Sequence, residues 1–265
     1  MRESTAQLQH AIDKVHLRFG EQALLRATRL PPADPWPSGL AEIDRLTGIH
    51  GLPKGRLSVL QGATGSGKLT LALAFLARAT RELAQSVVID HRVGFDPWAL
   101  QPLHPDLRSL AVVRPPNAEV AGEAAVALAR AGAGFLLLLG ELPESALTPL
   151  ESAAARSGSL VVACANARDA ALAHASSLTF GLERSGWIYE GDQLVGLRTS
   201  VTCLKNKLAP PGAGTELDIR YPLGAETFPE KPLLGAPAKS EISWGELALV
   251  FHEGVKPWVV RTAVG

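Results

Sequence analysis

The chain has 265 residues, is 46% hydrophobic, and its 26 basic and 26 acidic side chains cancel to a formal net charge of zero. That content can bury one large core, and the cancelled charge excludes a global positive field that would draw the protein onto nucleic acid. No apolar run reaches bilayer length and Met1 to Ser4 lacks the apolar core of a signal peptide, so a cytoplasmic protein with no membrane role is expected.

In chain order, Leu8, Ile12, Val15 and Phe19 form one stripe of an amphipathic helix. Pro31, Pro32, Pro35 and Pro37 then separate this helix from the rest of the chain, so residues 1–37 read as an arm and linker. The stripe suits a helix folded on its own core and an arm docked on a neighbour equally well. Arg56 to Leu60 is an apolar, β-prone run, and Leu69 to Leu83 carries Ala and Leu at helical spacing. Between them Gly62-Ala63-Thr64-Gly65-Ser66-Gly67-Lys68 spells a phosphate-binding loop in its required setting of strand, loop and helix. Gly62, Gly65, Ser66, Gly67, Lys68 and Thr70 are the expected nucleotide-binding residues. Leu69 stands where the pattern needs a hydroxyl for Mg²⁺, and Thr70, about 100° further round the helix, is a poor substitute.

Beyond the loop, Ser86 to Asp90, Leu110 to Val113, Gly134 to Leu139 and Leu160 to Ala165 read as buried strands. Ala118 to Ala131 and Ser145 to Ser157 are Ala-rich helices that fit between them. Cys164 and Cys203, far apart in apolar runs, read as reduced, buried thiols. Trp187 to Tyr189, Leu197 to Leu204 and Glu216 to Tyr221 read as strands, with turns at Glu190-Gly191-Asp192 and Pro210-Pro211-Gly212. The expected fold is α/β: a mostly parallel central sheet, helices on both faces and an antiparallel C-terminal extension. A core over residues 38–224 is followed by a tail over 225–265, where Leu247 to Phe251 and Pro257 to Val260 suggest a final hairpin.

From Leu8 to Gly224 the chain resembles the bacterial RecA-type recombinases. The resemblance rests on Arg18-Phe19-Gly20-Glu21, Ser38-Gly39-Leu40, Gly51-Leu52-Pro53-Lys54-Gly55-Arg56, the phosphate loop, Gly191 to Gly196 and Lys205-Asn206-Lys207-Leu208-Ala209-Pro210. It implies a RecA-like P-loop core that holds ATP or ADP, an early helix packed on the next protomer of a filament, and Lys205 and Lys207 reaching a neighbour's nucleotide. Two solvated lysines on a turn are the plainer alternative.

The departures from that family fall on its chemistry. Where the resemblance implies a water-activating glutamate the chain has Arg92, and a guanidinium cannot accept a proton. The strand that should end in a metal-orienting acid ends in Gly140, with Glu141 one residue too late for an extended strand to aim it correctly. Leu69, Arg92 and Gly140 are thus three degraded positions, no catalytic residue is assigned, and Mg²⁺ binding is expected to be weak or absent. Neither the segment after Leu139 nor that after Ala165 has room for a Gly-rich DNA-binding loop, and Asn166 replaces a γ-phosphate-sensing glutamine. DNA contact is therefore expected to be weak or indirect.

Such a chain is similar to the ImuA group of RecA-related proteins of damage-induced mutagenesis. That likeness implies a non-catalytic SOS accessory protein supporting translesion synthesis. Its implied partners are RecA filaments, an ImuB-like translesion polymerase partner and a replicative-type polymerase, with modulation of RecA recombination as a variant. The alternative is a divergent DNA-dependent ATPase active in homologous recombination, in which Thr70, Asp90 and Glu141 have shifted into the missing roles.

Overall fold

The computed structural model describes residues 10, 12–14, 17–18, 34–83, 85–166 and 169–220. The chain divides into two units, Met1–Asp34 and Pro35–Gly265. In the first, His10, Ile12, Asp13, Lys14, Leu17 and Arg18 are helical, as the stripe predicts for Ile12; Leu8, Val15 and Phe19 lie outside the described residues, as does the expected tail hairpin.

The second unit begins at Pro35, so the body reaches back into the expected linker. β1 (Pro35–Trp36) pairs antiparallel with β2 (Leu52–Pro53). The reason is burial: Trp36 is 4% exposed, its ring centroid lies 6.1 Å from that of Phe135, and its indole N–H donates to Glu82 at 3.1 Å. A large aromatic surface and a satisfied polar handle outweigh the local tendency of a Pro-rich stretch to remain a linker.

Between β1 and β2 lies the short helix α1 (Ala41–Leu46). Then β3 (Leu57–Gly62), α2 (Lys68–Glu82), β4 (Ser86–Asp90), β5 (Leu110–Val113), α3 (Ala118–Arg130) and β6 (Phe135–Leu139) follow. After them come α4 (Glu144–Ser157), β7 (Leu160–Ala165), α5 (Ala170–Ala175), β8 (Leu178–Glu190), β9 (Gln193–Asn206) and β10 (Gly214–Arg220). Eight strands form one sheet in the order β10-β9-β8-β3-β7-β6-β4-β5, parallel from β8 to β5 and antiparallel among β8, β9 and β10. Alternation along the strands sends Leu60, Val88, Leu137 and Val162 into a core with α2, and Val59, Ile89, Leu138 and Val161 into a second core with α3 and α4. This is the expected α/β plan. β8 starts earlier than the sequence suggests and lies parallel beside β3, with Leu182 opposite Gly62. Among the described residues, no helix is long and apolar enough to cross a membrane.

Candidate nucleotide site

The phosphate loop runs from the end of β3 to the start of α2. Gly65 and Gly67 sit at φ 78° and 86°, a region open to Gly and strained for other residues, and the Ser66 N–H donates to the Ala63 carbonyl at 3.2 Å to close the turn. Gly67 caps a 15-residue helix that has neither a side-chain cap nor an acidic residue in its first turn. Free N–H groups and the positive end of the helix dipole therefore face the loop. The Ser66 hydroxyl is buried without a hydrogen-bond partner. The Lys68 ammonium donates to the Gly62 and Ala63 carbonyls at 2.8 and 3.1 Å, so it is folded back onto the loop. Uncapped amides, an orphaned hydroxyl and an ammonium held only by loop carbonyls fit a nucleotide's phosphates.

The donor set does not fit Mg²⁺. Leu69 offers carbon and is 40% exposed at the mouth of the helix. Gly140 adopts φ 111°, and a Cβ there would overlap the His91 ring, with Nδ1 at 2.8 Å. The space a side chain at position 140 would need is thus taken by an imidazole. Glu141 is turned to Arg92, Oε1 to Nη2 at 2.5 Å, both side chains being more than half exposed. Asp90 is 1% exposed and accepts from the Phe95 N–H at 2.7 Å, which pins the loop after β4. Arg92, Gly140 and Glu141 are therefore brought together, with His91 between them as a member that sequence reasoning missed. Nothing local announces His91; only the pairing of β4 with β6 puts it against Gly140.

The loop is bolted to the antiparallel extension. Thr199 Oγ1 lies 2.8 Å from the Ser66 carbonyl and 3.1 Å from that of Glu183. An open cleft of about 510 Å³ is lined by Gly62 to Ser66 together with Glu183, Arg184, Ser200, Thr202 and Leu204. Burial pushes the Cys164 thiol up to about 12 against the weaker opposing pull of Lys68.

Lys205 and Lys207 lie away from the loop, on the last turn of α5. Lys205 Nζ donates to the carbonyls of Ala173, at 3.0 Å, and His174; Lys207 Nζ reaches that of Ala175 at 3.4 Å. Between them Asn206 donates to the Thr47 carbonyl at 2.9 Å and accepts from the Leu208 and Ala209 N–H groups. Desolvation, and then the neighbouring Lys207, lower the pKa of Lys205. Only Gly140 to Pro143 separate β6 from α4, and only residues 166–169 separate β7 from α5, so both connections are short. Asn166 is exposed at the end of β7, and Arg168 lies outside the described residues.

The model of the RecA N-terminal domain matches residues 6–158. The chain belongs to the RecA family. Protein RecA of Chlorobium limicola is 28% identical over 266 residues, covering 84% of this chain and 76% of that protein. Protein RecA of Brucella anthropi is 29% identical over 278 residues, covering 89% and 77%, and that of Aquifex pyrophilus 29% over 260 residues, covering 83% and 75%. Among solved structures, the RadB recombinase matches with a TM-score of 0.55 at 15% identity, over 69% of this chain and 94% of that one, which shows a common fold. The RecA family binds ATP, in keeping with the open amides and Lys68 of the phosphate loop.

Proposed function

We propose that this RecA-family protein is a catalytically degenerate accessory factor of the ImuA type. It holds ATP or ADP on Gly62, Gly65, Ser66, Gly67, Lys68 and Thr70, and acts in the SOS response by protein contacts with RecA and with the translesion and replicative-type polymerases. The observation that carries the reading is the Arg92–Glu141 ion pair beside a Gly140 whose Cβ position is filled by His91. Hydrolysis in this fold needs a base for water and carboxylate or hydroxyl oxygens for Mg²⁺. Here the position of the base carries a cation that pairs with Glu141, while Asp90, the second carboxylate beside Gly140, is buried and holds the Phe95 N–H. A loop whose amides and Lys68 suffice for phosphate contact then binds without turning over.

The short connections after β6 and β7 support weak or indirect DNA contact, because extra chain length is what a DNA-embracing loop requires. The early helix and Lys205 and Lys207 supply the surfaces for RecA in this reading. The test is twofold: ATP turnover with single-stranded DNA, and capture of purified RecA and polymerase partners by the full chain. The proposal expects capture and no turnover above a Lys68→Ala background. DNA-stimulated turnover that Lys68→Ala abolishes would instead establish the divergent ATPase.

A further inference from the structure

A polyphosphate carries several negative charges, and with no good Mg²⁺ ligands the loop meets them with one ammonium, Lys68. A second cation stands at its rim. Because β8 lies parallel to β3 with Leu182 opposite Gly62, the chain two residues past Leu182 rises alongside the loop. Arg184 is exposed there, and its Nη1 lies 3.4 Å from the point a Cβ on Gly65 would occupy. Among the described residues no carboxylate pairs with it; its guanidinium carbon instead lies 4.3 Å from the centroid of the Trp187 ring. Stacking fixes a guanidinium plane without neutralising its charge. The Thr199 bridge between the Ser66 and Glu183 carbonyls ties the residue before Arg184 to the loop itself.

We infer that Arg184 is a second phosphate-binding cation of this site, contacting the terminal phosphate of a bound nucleoside triphosphate and supplying charge where Mg²⁺ lacks ligands. The inference rests on the nucleotide reading of the loop. Arginine suits the role because its fork can meet two phosphate oxygens at once, which a point charge cannot. The same geometry gives selectivity. A triphosphate reaches the rim where Arg184 stands, whereas a diphosphate is held chiefly by the loop amides and Lys68. Glu183 lines the same cleft, and its carboxylate opposes any anion there.

The test is titration of the full chain with ATP and with ADP in excess EDTA, comparing wild type, Arg184→Gln, Arg184→Lys, Glu183→Gln and Lys68→Ala. One lost charge-assisted contact predicts that Arg184→Gln weakens ATP about tenfold and ADP much less, with Arg184→Lys between. Glu183→Gln tightens ATP, and Lys68→Ala weakens both nucleotides. An ATP-to-ADP preference that Arg184→Gln and Arg184→Lys leave unchanged overturns the role of Arg184 while sparing the nucleotide site. A wild-type chain that binds neither nucleotide overturns the site and this inference together.

Discussion

At Gly140 a single missing side chain has a steric as well as a chemical meaning. Placing an acid there by Gly140→Asp forces a non-glycine residue to φ 111° and its Cβ into the His91 ring. The substitution is predicted to destabilise the fold by about 1–3 kcal/mol and to confer no Mg²⁺ dependence, read from the denaturant midpoint and from nucleotide titration. Arg92→Ala is a milder change. The pair with Glu141 is largely exposed, so its removal shifts stability by about 1 kcal/mol or less and creates no turnover; a gain of hydrolysis would mean the guanidinium alone blocks a competent site. The thiols give a pH prediction. With its folded pKa raised from 9.0 to about 12, Cys164 favours the folded state fully below about pH 9, and that contribution is lost as pH rises towards 12. Cys164 is half-buried, so native-state alkylation at pH 8 should label it much more slowly than an ordinary exposed thiol, and labelling at the rate of a free thiol would contradict the raised pKa. Leu69 and Gly140 are legible as letters in the sequence. That His91 packs against Gly140 and Arg92 pairs with Glu141 is not, because two strands far apart in the chain must first pair.

Strands β4, β5 and β7 fall at the boundaries the sequence predicts, since each is a short, continuous apolar run rich in β-branched residues between polar stops. β1 and β2 are not legible: each is two residues long and contains Pro, and what makes them strands is the burial of Trp36 and Leu52. The parallel placement of β8 beside β3 is equally hidden, yet it brings Arg184 to a loop more than a hundred residues earlier in the chain. Trp36→Ala should cost about 3–5 kcal/mol by chemical denaturation, because it empties the space against Phe135 and leaves Glu82 without its indole partner. A cost below about 1 kcal/mol would place the N-terminal boundary of the body later than Pro35. In Lys205-Asn206-Lys207 the two lysines clamp the end of α5, and Asn206 between them holds the Thr47 carbonyl. Lys207→Ala, which removes one long and exposed contact, should change stability by less than about 0.5 kcal/mol, so any loss of RecA capture in that variant measures the proposed interface and not the fold.

For the whole molecule, family and fold rest on patterns spread along the chain, while the proposed loss of hydrolysis rests on a few positions, Leu69, Arg92 and Gly140. The sheet, the loop and the short connections after β6 and β7 describe a RecA-family body whose nucleotide is proposed to stabilise a docking shape and not to drive a cycle. Nucleotide affinity measured with and without Mg²⁺ tests that account most directly. Leu69, Gly140 and the Arg92–Glu141 pair predict affinities for ATP that agree within about twofold, as expected when the metal finds no ligands on the protein. An enhancement of tenfold or more by Mg²⁺, about 1.4 kcal/mol, would contradict it by showing that a metal site survives.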